Sequence, residues 1–157
     1  MQHLAQLRRG RRAPSRGESG QALAESTFFA LGLVTLLIGG IDIGKYADTS
    51  MILTSASRAG VQYGAQNLAV ASDTTGMQAA ATNEAHGVGV VSATATQYCT
   101  CQNATLSSCS QAALNSCTVP ALIYVKVTTT GTFTPLVPFP GIGNMGVSRT
   151  VSMQVSP

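Results

Sequence analysis

Large and charged side chains are scarce in this chain of 157 residues. It contains no tryptophan, its aromatic residues make up 5% and its charged residues make up only 10%, against roughly 25% in an average soluble domain. Alanine, glycine, serine and threonine take their place. Because such small side chains build a thin hydrophobic core, we expect a long apolar helix or the four cysteines to add stability.

Groups that catalyse acid–base chemistry are scarce as well. The chain has two histidines and no Gly-x-Ser-x-Gly, P-loop or His-Glu-x-x-His motif. A hydrolase or transferase needs a nucleophile, a base and an orienting group that converge. We therefore expect no enzymatic activity, no catalytic residue, no cofactor and no small-molecule substrate. The only acids after residue 41 are Asp42, Asp48, Asp73 and Glu84.

The positive charge is concentrated at the N-terminus. Five arginines precede residue 17 with no acid among them, and the remaining four basic residues face six acids, a balance of −2. Basic runs can bind nucleic acid, but a basic segment directly before an apolar stretch is typical of a cytoplasmic retention signal. We expect no nucleic-acid partner. The five arginines are Arg8, Arg9, Arg11, Arg12 and Arg16.

A membrane-length apolar stretch follows the arginines. Between Gln21 and Ile41, Glu25 is the only formally charged residue. A helix over this stretch is about 31 Å long, close to the ~30 Å hydrocarbon core of a bilayer. It is too long for the ~7–15-residue apolar region of a secretory signal peptide. The pattern predicts a single pass through the inner (cytoplasmic) membrane, with the N-terminus in the cytoplasm and residues after Ile41 in the periplasm or outside the cell.

Glu25 is the unusual residue in this stretch. It can be an acid tolerated at the membrane edge, where the cost is lower than the roughly 2.5–3.5 kcal/mol measured at a helix centre. Its spacing suggests another interpretation, because it is the fifth residue after Gly20. Cleavage after Gly20 would give Gln21 a free α-amino group one helical turn from Glu25. Such a carboxylate and ammonium, within one subunit or between two, would fix the register of packed helices.

Residues 19–66 contain three recognisable motifs: a Gly-x-x-x-x-Glu entry at Gly20 to Glu25, an Asp-x-Gly step at Asp42, and an Arg-x-Gly-x-x-Tyr segment between Ser57 and Gly64. A glycine-containing apolar helix joins the first two. In these features the segment resembles the TadE-like family of minor pilins (pseudopilins) of the tight-adherence, or Flp, pilus. Ser26 stands where such sites often carry an aromatic residue, and Ser57 replaces a frequent alanine.

The resemblance implies a structural component of type IV-class pilus biogenesis. It implies cleavage by a prepilin peptidase, contacts with other pilin or pseudopilin subunits through the N-terminal helix, and an inner-membrane assembly platform as a further partner. Major pilins of this system are much shorter, which favours a minor, priming or tip role. The alternative is an uncleaved single-pass envelope protein whose exported part binds a partner protein.

Small residues recur every four positions along the predicted helix, at Gly40 and Gly44 and again at Ala56, Gly60 and Gly64. Small residues at this spacing let two backbones approach closely. For Gly40 and Gly44 we expect contacts with helices of other subunits. For the later three positions, packing against other subunits and packing against the chain's own β-sheet both remain open.

Four cysteines, Cys99, Cys101, Cys109 and Cys117, lie close together. Their Cys-x-Cys-x7-Cys-x7-Cys spacing lacks the usual zinc knuckle, and an exported segment lies where disulfides persist. We therefore expect two disulfides rather than a metal site. Since a disulfide between Cys99 and Cys101, which are separated by one residue, would need a strained ring, each is expected to pair with Cys109 or Cys117, in either a nested or a crossed arrangement.

The remaining pattern predicts an α+β fold. Asp73 is a candidate N-cap for a short helix over 74–86 that Gly87 ends. Segments 88–98, 121–130 and 147–155 alternate in polarity, as strands of a small antiparallel sheet do, and the proline- and glycine-rich segment 134–146 is a loop. The predicted organisation is a cleaved basic leader (1–20), a transmembrane helix (21–41), its extracytoplasmic continuation (42–72), and a small α/β region (73–157) with a cysteine-rich loop (99–117).

Overall fold

The computed structural model describes residues 16–101, 104–106, 109–137 and 143–156. Within these residues the predicted fold class is confirmed: a long N-terminal helix, a short second helix and an antiparallel sheet with two disulfides. The helices are α1 (Arg16–Gly64), α2 (Thr74–Glu84) and α3 (Gln111–Asn115), and the strands are β1 (Ser92–Cys101), β2 (Ala104–Thr105), β3 (Leu122–Phe133) and β4 (Met145–Gln154).

The chain divides into two compact units. The first ends at Gly40, and its described residues are all helical. The second, from Ile41 to Pro157, contains the rest of α1, the other two helices and the sheet. We call this second unit the head. The division falls one residue before the end of the predicted membrane stretch.

The sheet has the strand order β2-β1-β3-β4, and every neighbouring pair is antiparallel. Its longest strand, β3, alternates between buried and exposed side chains: Val125, Val127 and Thr129 are buried, whereas Lys126 and Thr130 are exposed. This alternation is the one that the sequence predicts. It gives the sheet one face for the core and one face rich in hydroxyl groups.

The core of the head is small, as the composition predicts. Val61 of α1, Met77 of α2 and Val127 of β3 are fully buried together in its main cluster. A second cluster joins Leu53 to Phe133 and to one residue of β4. Because alanine supplies much of the remaining buried surface, contacts between backbones and small side chains carry much of the packing.

Helix α1 ends at Gly64, earlier than residue 72 where the sequence analysis ended it. The side-chain oxygen of Asn67 accepts hydrogen bonds from the backbone N–H groups of Ala69 (2.9 Å) and Val70 (3.2 Å). An asparagine that binds nearby backbone groups in this way competes with helix continuation. The chain therefore turns before a short 3-10 helix, Val70–Ser72.

The N-cap of α2 is Asp73, as predicted, and its carboxylate accepts a hydrogen bond from the N–H of Gly76. The helix ends at Glu84, two residues before the predicted end, and Gly87 follows with φ +85°, a backbone conformation that favours glycine. The short elements β2 and α3 were not predicted, and β1 begins at Ser92 rather than at the predicted residue 88.

The predicted loop between β3 and β4 lies outside helices and strands at residues 134–137 and 143–144. Strand β4 begins at Met145, so the loop ends two residues earlier than expected. Residues 138–142, with two of its apolar side chains, lie outside the described residues.

Candidate functional site

The apolar part of α1 is exposed along its length. Between Gly20 and Gly64 the helix is long enough to cross a membrane, and its most apolar 18-residue window has a mean hydropathy of 1.9 with none of it buried in the chain. Phe28, for example, is 78% exposed. A core helix of a soluble protein would bury such side chains against its own fold. The helix has the properties of a single-pass membrane anchor.

Hydroxyl groups within the apolar stretch have partners on the same helix. Ser26 and Thr27 both donate to the backbone carbonyl of Leu23, at 2.9 and 2.8 Å, and Thr35 donates to that of Leu31 at 2.9 Å. In the hydrocarbon core, polar groups need partners within the protein because water is absent. These side chains therefore suit a membrane environment despite their hydroxyl groups.

The predicted processing residues lie on exposed helix surface. The side-chain amide of Gln21 donates to Glu25 Oε1 at 3.5 Å, across one helical turn. A Cβ added at Gly20 would meet no atom within 4 Å from the described residues outside the neighbouring turns of the helix, so the described surface beside the Gly20–Gln21 bond is open. The leader arginines up to residue 12 lie outside the described residues.

The small residues at Ala56, Gly60 and Gly64 pack against the head's own elements. A Cβ at Gly60 would lie 2.9 Å from the carbonyl oxygen of Met77 and 3.0 Å from a methyl group of Val127. At Gly64 it would overlap the sulfur of Met77, and Ala56 is fully buried. Of the two alternatives for this stripe, the geometry agrees with packing inside the chain.

Gly40 and Gly44 have different surroundings. A Cβ added at either position would meet nothing within 4 Å. Their surface is free of contacts among the described residues, and contact with other subunits stays a prediction for these two glycines.

A pair of buried hydroxyl groups joins α1 to the sheet. The oxygens of Ser57 and Thr129 lie 2.8 Å apart, Thr129 donates to the carbonyl of Leu53 (2.8 Å), and Ser57 lies 3.0 Å from the carbonyl of Arg149. Both side chains are fully buried. In the sequence, Ser57 is notable only as a departure from a frequent alanine, and its partnership with Thr129 was not predicted. The signal available was the threonine at position 129, which interrupts the apolar residues on the core face of β3.

The tyrosine of the Arg-x-Gly-x-x-Tyr segment stabilises the start of α2. The hydroxyl of Tyr63 donates to Asp73 Oδ2 at 2.9 Å, while Asp73 Oδ1 accepts from Gly76 N–H at 2.9 Å. The Gly76 N–H and the Tyr63 hydroxyl hold the pKa of Asp73 below its usual value. The hydrogen bond to Asp73 in turn raises the pKa of Tyr63.

The four cysteines form two disulfides in the crossed arrangement. Cys99 pairs with Cys109 and Cys101 pairs with Cys117, with Cα–Cα distances of 5.5 and 5.8 Å. Both bonds therefore attach the end of β1 to the segment that contains α3. Since the four sulfurs are bonded in two pairs, they offer no thiolate for the zinc site that was the alternative for these cysteines.

Asp42, of the Asp-x-Gly step, holds the loop between β3 and β4. Its carboxylate accepts a hydrogen bond from the backbone N–H of Leu136 at 2.9 Å. One turn farther along α1, Tyr46 meets Phe133 edge-on, with ring centroids 5.8 Å apart. The sequence carries no local signal for this contact, because 94 residues separate Asp42 from Leu136.

Comparison with known proteins adds no relative. The chain matches no family model, no curated protein and no solved structure.

Proposed function

We propose that this chain is a minor pilin, or pseudopilin, of a tight-adherence (type IV-class) pilus. The observation that carries the proposal is the position of Glu25, the only formally charged residue between Gln21 and Ile41 of an exposed helix, one turn from the Gly20–Gln21 bond. The hydroxyl groups around it are bonded to the helix backbone, whereas Glu25 has a charge that the backbone carbonyls cannot neutralise.

In this proposal the leader arginines keep the N-terminus in the cytoplasm while the head is exported. A prepilin peptidase then cuts after Gly20. The new α-amino group of Gln21 has an ordinary pKa of about 7.7–8.0 and carries a positive charge at neutral pH. It pairs with Glu25 of its own or a neighbouring subunit, which lowers the desolvation cost of both charges and sets the axial register of packed helices.

The head has the features of a small exported structural module. Its two disulfides suit an oxidising compartment. The open surface at Gly40 and Gly44 provides a place where helices of other subunits could approach closely. The proposal assigns this chain a minor, priming or tip position, with pilin subunits and an inner-membrane assembly platform as its partners, and no catalytic role.

The N-terminal mass of the protein tests the proposal. The full chain is expressed with a prepilin peptidase, isolated from membranes and measured by mass spectrometry. We expect Gln21 as the first residue. Gly20→Ala should block the cut, whereas Gly17→Ala, the same change three residues earlier, should not. A native protein that keeps its leader under these conditions would refute the pilin assignment.

An uncleaved single-pass anchor is the second candidate. It is favoured by the continuity of α1, which begins at Arg16 and therefore includes the Gly20–Gln21 bond within a helix. A peptidase would have to unwind that turn before cutting. In this candidate Gln21 remains the partner of Glu25, the leader is retained, and Glu25→Gln leaves the association of the head with its partner unchanged.

A further inference from the structure

The loop after β3 is hydrogen-bonded to α1 at the point where the helix would leave a membrane. Asp42 directly follows Ile41, the last residue of the predicted membrane stretch. Because Asp42 accepts the N–H of Leu136 at 2.9 Å, Leu136 lies beside the first residue after that stretch. This proximity is a property of the head alone, since both residues belong to it.

Among the described residues, the surface at this point is apolar and exposed. Leu136 is 53% exposed, and Val137 and Met145 are also exposed. Tyr46, which is partly exposed one turn beyond Asp42, packs edge-on against Phe133 behind the loop. Tyrosine and tryptophan are enriched at the interface between a bilayer and water.

We propose that Leu136 and Val137 insert into the interfacial layer of the lipid bilayer on the side of the membrane where the head lies. The inference rests on the membrane anchoring contained in the proposed function, and it is independent of the pilus assignment and of leader cleavage. The loop then acts as a second membrane contact that restricts the tilt and rotation of the head about the point where α1 emerges.

The dimensions of a bilayer favour lipid over a protein partner at this surface. The hydrocarbon core is about 30 Å thick and the whole bilayer about 40–45 Å, so each interfacial layer extends about 5–7 Å beyond the core. A helix that uses residues 21–41 to cross the core places Asp42 at the start of this layer. The backbone of Leu136, which is hydrogen-bonded to Asp42, therefore lies at the level of this layer, and its exposed side chain is within reach of the lipid there.

The absence of tryptophan in the chain allows a direct test with single-tryptophan variants. Leu136→Trp reports on the loop, and Val34→Trp reports on the apolar stretch, where Val34 is exposed. Leu68→Trp is the matched control, because Leu68 has nearly the same exposure as Leu136, at 52%. It follows the C-terminal end of α1, which lies about 33 Å along the helix axis from Asp42.

The full-length variants are reconstituted into phosphatidylcholine vesicles that carry bromine, a fluorescence quencher, either near the carbonyl end or near the middle of the acyl chains. We expect shallow bromines to quench Leu136→Trp and deep bromines to quench Val34→Trp, with Leu68→Trp insensitive to both. The emission maximum of Leu136→Trp should also lie at shorter wavelength than that of Leu68→Trp. Val137→Trp replaces Leu136→Trp if circular dichroism shows that the latter does not fold.

The outcomes separate the inference from its premise. If Val34→Trp is quenched but the loop variant behaves like Leu68→Trp, the loop does not touch lipid and the inference is wrong while the anchor stands. If Val34→Trp is not quenched, the membrane anchoring itself fails. A loop tryptophan that is shielded from aqueous acrylamide but not quenched by either lipid would show a protein contact, which also overturns the inference.

Discussion

At the scale of single residues, the glycines of α1 differ according to what faces them. Glycine inside a helix lowers helix stability by roughly 1 kcal/mol relative to alanine. A glycine is therefore expected there where packing leaves no room for a larger side chain. At Gly60 the reason is the carbonyl oxygen of Met77, a backbone atom that cannot rotate away from an added Cβ. At Gly44 nothing in the described chain occupies that space.

We therefore expect opposite effects from the same substitution at the two positions. Gly60→Ala should lower the free energy of unfolding of the head by about 1–3 kcal/mol through overpacking. Gly44→Ala should raise it by up to about 1 kcal/mol or leave it unchanged. Denaturant unfolding of the full chain in detergent, followed by circular dichroism, measures both. Equal effects at the two positions would contradict the packing described for Gly60.

The capping aspartate gives a prediction with a pH dependence. The Gly76 N–H and the Tyr63 hydroxyl lower the pKa of Asp73. A carboxyl group whose pKa is lower in the folded state contributes stability above its unfolded pKa of about 3.9, and this contribution is lost as the pH falls through the folded value. Stability from Asp73 should thus be present at neutral pH and disappear in acid.

Two variants separate capping from ionisation. Asp73→Ala should lower the free energy of unfolding at neutral pH by about 1 kcal/mol, because the N-cap is lost. Asp73→Asn should retain most of the cap, since asparagine is an equally good N-cap, but the native chain's stability relative to it should fall as the pH drops below about 4. Unfolding curves at several pH values test this. A difference that does not change with pH would show that the carboxylate charge is unimportant.

At the scale of elements, the buried hydroxyl pair attaches α1 to the middle of the sheet. Ser57 and Thr129 have two hydroxyl protons for three short oxygen contacts, to each other and to the carbonyls of Leu53 and Arg149. Removing only one of the two hydroxyl groups should be destabilising, because the remaining buried polar group keeps its full desolvation cost without a hydrogen-bond partner to offset it.

A double-mutant cycle measures this coupling. Thr129→Val removes one hydroxyl with little change in shape and should lower the free energy of unfolding by about 1–3 kcal/mol, because Ser57 then loses a buried partner. The double variant Ser57→Ala/Thr129→Val should lower the free energy of unfolding by less than the sum of the effects of the two single changes. Exact additivity would mean that the two hydroxyl groups do not depend on each other in the folded protein.

The exposed face of the same sheet has a different character. Tyr98 and Tyr124 stack with ring centroids 5.3 Å apart, and the Lys126 ammonium lies 5.9 Å from the centre of the Tyr98 ring. These are contacts between side chains on neighbouring strands, of the kind that stabilise a sheet register. They lie near the disulfide-bonded end of β1, so that end of the sheet has two independent sources of order.

At the scale of the whole molecule, the disulfides can report which side of the membrane the head reaches. Disulfides persist in oxidising compartments, and thiols stay reduced in the cytoplasm. The leader arginines are expected to determine this orientation, because cytoplasmic flanks of membrane helices carry an excess of lysine and arginine.

Replacing the five leader arginines with glutamate should therefore leave a larger fraction of the cysteines reduced in cells. Replacing them with lysine keeps the positive charge and should leave the native oxidation state. Labelling of free thiols in denatured, unreduced protein measures the fraction. Equal labelling in the two variants would show that the arginine charge does not set the orientation of the head.

The sequence alone determined the features that depend on neighbouring residues or on how readily individual side chains leave water. The apolar stretch, the charge asymmetry, the strand alternation on β3 and the Asp73 cap each arise from interactions within a few positions or from the polarity of individual side chains. Such patterns are visible in the order of residues, so the fold class could be predicted. The end of α1 was misjudged even locally, because the competing hydrogen bonds of Asn67 were not weighed.

Only the tertiary structure decided which distant groups meet. It chose the crossed disulfide pairing, put Gly60 against Met77, joined Ser57 to Thr129 across 72 positions, and brought Leu136 to Asp42. Each of these contacts depends on how α1, α2 and the sheet pack as three-dimensional surfaces. No local pattern of residues predicts that packing, because the same small and polar side chains fit several packing arrangements of the helices and the sheet. Only the complete core distinguishes between them.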